Sequence, residues 1–538
     1  MIARARSSRA PLPGGIVLAG IAVLVVTAGL AVWHRALATY FSQDDFGSLA
    51  REVGLLPRLT APWRYVGIQL SFDLLHALAG LDPAPYHAFT LAVHLGCALL
   101  LLVLLARRFS WPAAASGAVF FVVHPALFTA VYWISTMCDT LALLFALAAL
   151  VAADARGRGR WLAVPLFVLS LLSKESTLLL PLALLVIPPP RPAESGLPAE
   201  PARERFPLAI ALATVAAIYL AYFATSAYST FFLPAGAGPA LGDRAAAPYA
   251  LGLGPSLFEN ALTLTGWAIN FLFPTVVGFG DAVDPAVYPW AVGALLAWLV
   301  GLRWSTLRRH GWLTGGALYL IFVLPVLPLG HHTYHYYLYA PLVGIAWCVA
   351  ALVEAVAGAG ARRESRAPGA APGARSGSAA TGVAIAAGLA LLLTWNGWAL
   401  VQKIETMPFL IGELRADPIV DRARIARRVA EDLRASALPS GTRLAFWSPT
   451  SIAIGRASDG DSAAARRETY FERNVRAALL DGLTVRVLFP QVDSVVFVRS
   501  YHRLPEPWRY AVYLVDGTLH VGSSAELDSV VPRLEGRR

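Results

Sequence analysis

Charge is what this chain has least of. Of its 538 residues 14% are Asp, Glu, Lys or Arg and 57% are hydrophobic, whereas a soluble domain carries roughly a quarter charged residues. With a mean hydropathy of +0.57, that deficit excludes a soluble enzyme. Cysteine is scarce as well: Cys97, Cys138 and Cys348 lie singly inside apolar runs. Such placement excludes a disulfide framework or zinc knuckle and makes them small core residues. Lysine is scarcer still, because Lys174 and Lys403 are the two lysines among 44 basic residues. No repeat of about 34 residues and no inverted repeat shows in the apolar pattern, which speaks against a helical-repeat array and a repeat-built transporter.

What is present is a series of separated apolar runs, each near the roughly 20 residues that cross a bilayer as helix. The net charge of +10 comes from arginines gathered in short loops, at Arg4, Arg6 and Arg9, Arg107 and Arg108, residues 156–160, Arg303 with Arg308 and Arg309, and residues 362–375. Positive charge in alternate loops is a mark of orientation, not a nucleic-acid footprint, so no nucleic-acid partner is expected. The rule predicts spans at 15–33, a retained signal anchor, then 86–106, 112–129, 135–153, two short helices within 161–187 meeting at residues 173–176, 207–224, 288–302, 311–329, 336–356 and 379–399. Residues 257–276 are expected to be re-entrant or interfacial, which gives about eleven transmembrane helices.

Beyond residue 402 charges return and apolar runs shorten to strand length at 443–447, 484–489, 493–498 and 510–515, between helical patterns at 418–436, 466–480 and 524–533. The expected fold class is an α-helical polytopic membrane protein, residues 1–402, carrying a small C-terminal α/β extracytoplasmic domain, residues 403–538.

Ionisable groups at membrane depth cost a few kcal/mol each and mark function. Under the charge-derived topology they fall at one surface: Asp44 and Asp45, Arg64, His87 and His94, His124, Asp139, Lys174 and Glu175, and His331, His332 and His335. Adjacent Asp44 and Asp45 suit a general base or metal ligand, since close like charges raise one pKa; the alternative is a helix terminator in water. Asp139, inside an apolar helix, needs a partner. Lys174 stands where this arginine-rich chain would use Arg by default, which suits a phosphate contact or an ion pair with a carboxylate such as Asp139, while Glu175 faces water. Arg64 beside Trp63 suits a bidentate phosphate contact or snorkelling to headgroups. His87 and His94 share a helix face and read first as interhelical histidines. His331, His332 and His335 have spacing that a divalent metal would accept, though their tyrosine neighbours suit an interfacial belt.

Several short motifs follow one another in order: Trp63, Arg64, Tyr65 and Val66; Leu70 to Asp73; Gly80 to Pro83; Tyr86, His87 and His94; His124 and Pro125; Ala130 to Ser135; Asp139 to Ala142; Leu172 to Glu175; Leu324 and Pro325; and Tyr337 to Tyr339 with Pro341 and Gly344. That order resembles the GT-C glycosyltransferases that use polyprenyl-phosphate sugars, in particular the protein O-mannosyltransferase-like branch. The chain departs from the family at Thr129, where an acidic residue is usual, at Met137, where an arginine is usual, and at His335 and Tyr336, where Glu-Arg is usual. The resemblance implies a GT-C bundle and a polyprenyl-phosphate-linked sugar donor entering from the bilayer, with a glycan, lipid or protein acceptor. Asp44 or Asp45 would be catalytic. Lys174, Arg64 and His335 would hold the donor phosphate, with Asp139, Glu175, His87 and His124 in support. No nucleotide-binding motif is needed, and a divalent metal at His331 and His332 stays open. A transporter or flippase of lipid-linked sugars, or a catalytically degenerate scaffold, is the alternative. Heavy Ala, Arg, Gly and Pro usage suggests a bacterial inner membrane, with the C-terminal domain in the periplasm.

Overall fold

The computed structural model describes residues 14–191, 205–227, 254–270, 285–329, 333–366, 376–405, 417–448, 474–498, 508–514 and 518–528. Most of them are helical. The helices are α1 (Gly14–Trp33), α2 (Asp44–Glu52), α3 (Ser71–Ala79), α4 (Pro83–Ala106), α5 (Trp111–Val122), α6 (Phe128–Tyr132), α7 (Met137–Ala153), α8 (Ala163–Ser173), α9 (Leu180–Val186), α10 (Phe206–Tyr222), α11 (Ser256–Ile269), α12 (Tyr288–Arg303), α13 (Trp312–Val323), α14 (Leu342–Arg366), α15 (Ser376–Glu405) and α16 (Pro418–Ala435), with shorter turns between them.

The long helices are apolar on nearly every side, so their outward faces remain apolar and suit lipid. On α1, Ile16, Val23, Leu24 and Leu30 are exposed while Val25, Val32 and Trp33 are buried. Their ends follow ordinary capping chemistry: the Asp82 carboxylate accepts from Ala84 N at 3.1 Å, and Pro83 takes the first position of α4. Among the described residues five helices are long and apolar enough to cross a membrane, or six if the bent pair Trp111–Val122 with Pro125–Tyr132 is one span. Three shorter apolar helices, Glu175–Val186, Trp312–Val323 and Leu342–Ala357, join them. The chain is a polytopic helical membrane protein. Of the run at 257–276, Ser256–Ile269 forms α11, 14 residues long, and residues 271–276 lie outside the described residues.

α7 gives the bundle two chemically distinct ends. Asp139 lies in its first turn and Asp154 caps its last, roughly 22 Å apart at 1.5 Å per residue. Asp154 is buried and accepts from three arginines: Arg108 Nη2 at 2.8 Å, Arg205 Nη2 at 2.8 Å and Arg107 Nη1 at 3.3 Å. Arg108 also donates to Pro188 O at 2.8 Å and Arg205 to Ile187 O at 2.8 Å. One carboxylate therefore ties together the turns after α4, α7 and α9. At the same end Glu354 of α14 accepts from Ser110 and Arg191. Asp139, Lys174 and the start of α14 lie at the opposite end.

The C-terminal segment holds a four-stranded sheet of β1 (Thr442–Trp447), β2 (Val492–Phe497), β3 (Trp508–Tyr513) and β4 (Leu519–Gly522), ordered β2-β1-β3-β4. β1 runs parallel to β2 and β3, and β3 pairs antiparallel with β4. The strand expected at 484–489 is instead the helix Leu483–Leu488. Asp481 and Gly482 carry φ of 54° and 92°, a left-handed turn that starts the helix. Val485 and Phe489 enter the sheet's core, whereas Val487 joins the core of the membrane bundle. Two separate surfaces claim the segment, and tertiary packing overrides its β-branched content. Of the helix expected at 466–480, residues 466–473 lie outside the described residues and Arg476–Ala478 is helical. α16 runs as the pattern predicts and packs into both cores, through Ile419, Val420 and Ala426 on one side and Ile425, Val429 and Leu433 on the other.

Candidate active site

The first element of the site is the segment between α1 and α2. After Ser42 the chain turns sharply through Gln43, φ 50° and ψ −116°, and enters α2 at Asp44. Asp45 points inward. Its Oδ2 accepts from Ser42 N at 2.8 Å, and its Oδ1 accepts from Ser135 N at 2.7 Å and Ser135 Oγ at 2.6 Å. Trp133 Nε1 donates to Ser42 O at 3.2 Å. These bonds fasten the segment to the turn that precedes α7. Burial pushes the Asp45 carboxyl up to about 7, against the pull of the Ser135 hydroxyl and the Ser42 and Ser135 amides. Asp44 has the opposite surroundings. It is open to solvent, yet protein crowds it: desolvation raises its carboxyl above the ordinary range, while Arg422 and Arg51 pull it down. A carboxylate that is accessible and still raised suits proton abstraction at neutral pH.

The second element lies one turn further on. Lys174 occupies an extended break, φ −163° and ψ 149°, between α8 and the turn Glu175–Thr177. Its Nζ lies 2.6 Å from Asp139 Oδ2, with both side chains at most 5% exposed. The ammonium sits 4.7 Å from the Tyr336 ring centre and 5.3 Å from that of Tyr337, a caged cation of the kind that desolvation strengthens. Ser135, which holds Asp45, lies in the turn Ile134–Thr136, and Asp139, which holds Lys174, lies four residues on in the first turn of α7. Trp133 spans the gap, bonded to Ser42 O and edge-on to Tyr336 at 6.1 Å. The carboxylate pair and the caged lysine share one locale.

Arg64 and Glu175 form a third element. Arg64 Nε donates to Glu175 Oε2 at 3.1 Å, Arg64 Nη2 pairs with Glu175 Oε1, and the guanidinium lies 4.5 Å over the Trp63 ring. Glu175 is thus an ion-pair partner instead of a water-facing residue, and its fork meets that of Arg64. The approach of the two segments requires Gly67. A Cβ there would stand 2.5 Å from Ser173 O and 2.7 Å from Cys138 Cβ.

The histidines divide. His94 is satisfied on both nitrogens, by Tyr339 Oη at 2.8 Å and Val122 O at 3.0 Å. His124 faces Ala268 O at 3.1 Å and accepts from Ala126 N at 3.2 Å, capping the turn Pro125–Leu127. His87 is buried, its ring against the backbone of Thr39, Tyr40 and Val131. His335 is buried against Trp267, ring centres 4.1 Å apart. Among the described residues no group of three His, Cys, Asp or Glu could hold a metal ion; His331 and His332 lie outside the described residues.

Sequence reading missed the ring contacts of Tyr336 and Tyr337 and the approach of the C-terminal segment. Arg422 Nη1 of α16 donates to Gln43 Oε1 at 2.5 Å, beside Asp44. The tyrosine run next to His335 was the available signal for the first. No spacing in the sequence announces the second.

No family model matches the chain, and no curated protein matches it. A crystal structure of ArnT from Cupriavidus metallidurans bound to undecaprenyl phosphate is similar over 97% of this chain and 95% of that chain, at 13% identity with a TM-score of 0.44. At that identity and score the likeness assigns neither family nor activity.

Proposed function

We propose that the chain is an integral-membrane glycosyltransferase of the GT-C type that moves a sugar from a polyprenyl-phosphate donor to an acceptor hydroxyl, with inversion. The observation that carries this reading is that Asp45, next to the accessible Asp44, is held by Ser135, while the buried, caged Lys174 is held by Asp139 four residues further along the same stretch of chain. Asp44 takes the acceptor proton as the hydroxyl oxygen bonds to the anomeric carbon. The bond from that carbon to the phosphate oxygen breaks on the opposite face, and its electron pair leaves with the polyprenyl phosphate. Lys174 balances the charge that develops there, held in line by Asp139 and the two tyrosines. Asp45 is the brace that fixes the turn. Arg64 reaches a phosphate only by exchanging Glu175 for it, a bidentate carboxylate for a bidentate phosphate. The protein O-mannosyltransferase-like branch, the bacterial inner membrane and a periplasmic C-terminal domain complete the proposal, supported by the motif order and by the gathering of arginines at the far end of the bundle.

The test is transfer of labelled sugar from polyprenyl phosphate in membranes carrying wild type, Asp44→Asn or Lys174→Met, with and without chelator, with membrane lipid, glycan and protein as acceptors. We expect Asp44→Asn to lose about 10² to 10⁴ in rate, the range that general-base help supplies. Transfer undiminished in both variants would overturn the assignment. No transfer by the wild type from several polyprenyl donors would favour a scaffold.

A further inference from the structure

The C-terminal segment touches the candidate site at its most strained point. Gln43 has a backbone conformation, φ 50° and ψ −116°, that non-glycine residues hold only when their surroundings enforce it. Its neighbour Asp44 inherits its direction from that turn. The contact that meets the Gln43 side chain comes from 379 residues away: Arg422 Nη1, on a largely buried side chain, donates to Gln43 Oε1 at 2.5 Å.

α16, which carries Arg422, is itself fixed to the membrane bundle. Asp417 N donates to Lys403 O at 2.7 Å, Lys403 Nζ lies 3.2 Å from Asp417 Oδ2, and Asp417 Oδ1 caps the helix by accepting from Ile419 N at 3.1 Å. Lys403 and Asp417 are both buried. The end of α15 therefore sets the start of α16, and Arg422 follows little more than one turn on. On its other flank α2 is met by the same C-terminal segment, where Leu483–Leu488 packs along it and Val53 and Leu55 share a cleft with Arg486, Val487 and Pro490.

We propose that Arg422 is a positioning residue for Asp44, and that the C-terminal domain completes the active site by holding the Gln43 turn in its strained form. The inference rests on the transferase reading above. The charged groups facing Asp44 are Arg422 from α16, Arg51 on α2 and the adjacent Asp45. Arg422 and Arg51 favour the ionised carboxylate and Asp45 opposes it. Removing the Arg422 charge therefore moves the Asp44 titration upward and lowers the ionised fraction at neutral pH.

The experiment uses the full-length protein in detergent or nanodiscs, with wild type, Arg422→Ala, Arg422→Lys, Gln43→Ala and the Arg422→Ala, Gln43→Ala double variant. Arg422→Ala is expected to lower kcat roughly 10- to 100-fold, in the range of a small misplacement of a catalytic group, with a smaller change in the donor KM. The acid limb of its pH–rate profile should move up, and Arg422→Lys should restore the limb in part. In thermal melting the two alanine substitutions should be less than additive, because they remove one shared contact. An unchanged kcat and acid limb in a folded Arg422→Ala protein, beside an active wild type, would overturn the positioning role alone. Additive melting shifts would overturn the contact, whether or not transfer is seen. A wild type inactive with every donor would remove the transferase reading and the catalytic part of the inference, leaving the melting cycle to judge the clamp.

Discussion

Asp44 and Asp45 are identical in chemistry and adjacent in sequence, and their surroundings assign them different work. Asp45 spends both oxygens on Ser42 and Ser135, so Asp45→Asn would turn its amide against donors that have nowhere else to go, at a cost of about 1–3 kcal/mol. Its pH dependence has a definite sign. The folded-state carboxyl, raised to about 7, holds a proton that the unfolded chain releases near its ordinary value of 3.8. The stabilisation from this group is complete below the lower value and is lost as pH rises through about 7. Wild type should therefore melt lower at pH 8 than at pH 5, and Asp45→Asn, with nothing to titrate there, should show a flatter profile; parallel profiles would refute the assignment. Lys174 is held as firmly as Asp45. Its ammonium is enclosed by Asp139, Tyr336 and Tyr337, and a planar guanidinium does not fit a cage shaped to a compact ion. Lys174→Arg should retain the charge and still fail to restore transfer, whereas Lys174→Ala should destabilise by about 3–5 kcal/mol, because Asp139 is left buried without a partner. The special position of Lys174 was legible from the rarity of lysine. Its tyrosine cage was not, because those residues come from a turn 162 positions away whose sequence reads equally well as an interfacial belt.

Between elements, contact between segments far apart in sequence decides what sequence reading could not. The break at residues 173–176 was visible as polar residues inside an apolar run, and α8 does end there. What Glu175 meets was invisible, since Arg64 lies 111 residues earlier and neither residue has a spacing that selects the other. Gly67 permits that meeting. Gly67→Ala would force a methyl group against Ser173 O and Cys138, an overpacking cost of about 1–3 kcal/mol. It should lower the melting temperature and weaken the grip of Arg64 on Glu175. If the substitution is silent in thermal melting, the close approach is not what sets this corner. The helix at Leu483–Leu488 teaches the same lesson from the other side: alternating β-branched residues predict a strand, and two competing cores make a helix.

For the whole molecule, fold class was legible because a bilayer imposes composition and run length, which a sequence records directly. The number of crossings was less so, since α9, α11 and α13 are 7, 14 and 12 residues long and a length criterion alone does not decide short or broken helices. The charge pattern carries the remaining information. Arg107, Arg108 and Arg205 converge on Asp154 at one end of α7, and Asp139 with Lys174 occupies the other. If arginine loops stay inside, the candidate site and the C-terminal domain face outward together. Reporter fusions check this without reference to activity. Alkaline phosphatase joined after residue 538 should be active and green fluorescent protein there dark, with the reverse for fusions after Arg191, which lies at the arginine end beside Glu354. Fluorescence from the C-terminal fusion would place Asp44, Lys174 and Arg422 on the cytoplasmic side. An acceptor reached from the outer surface would then be impossible whatever the chemistry of the site.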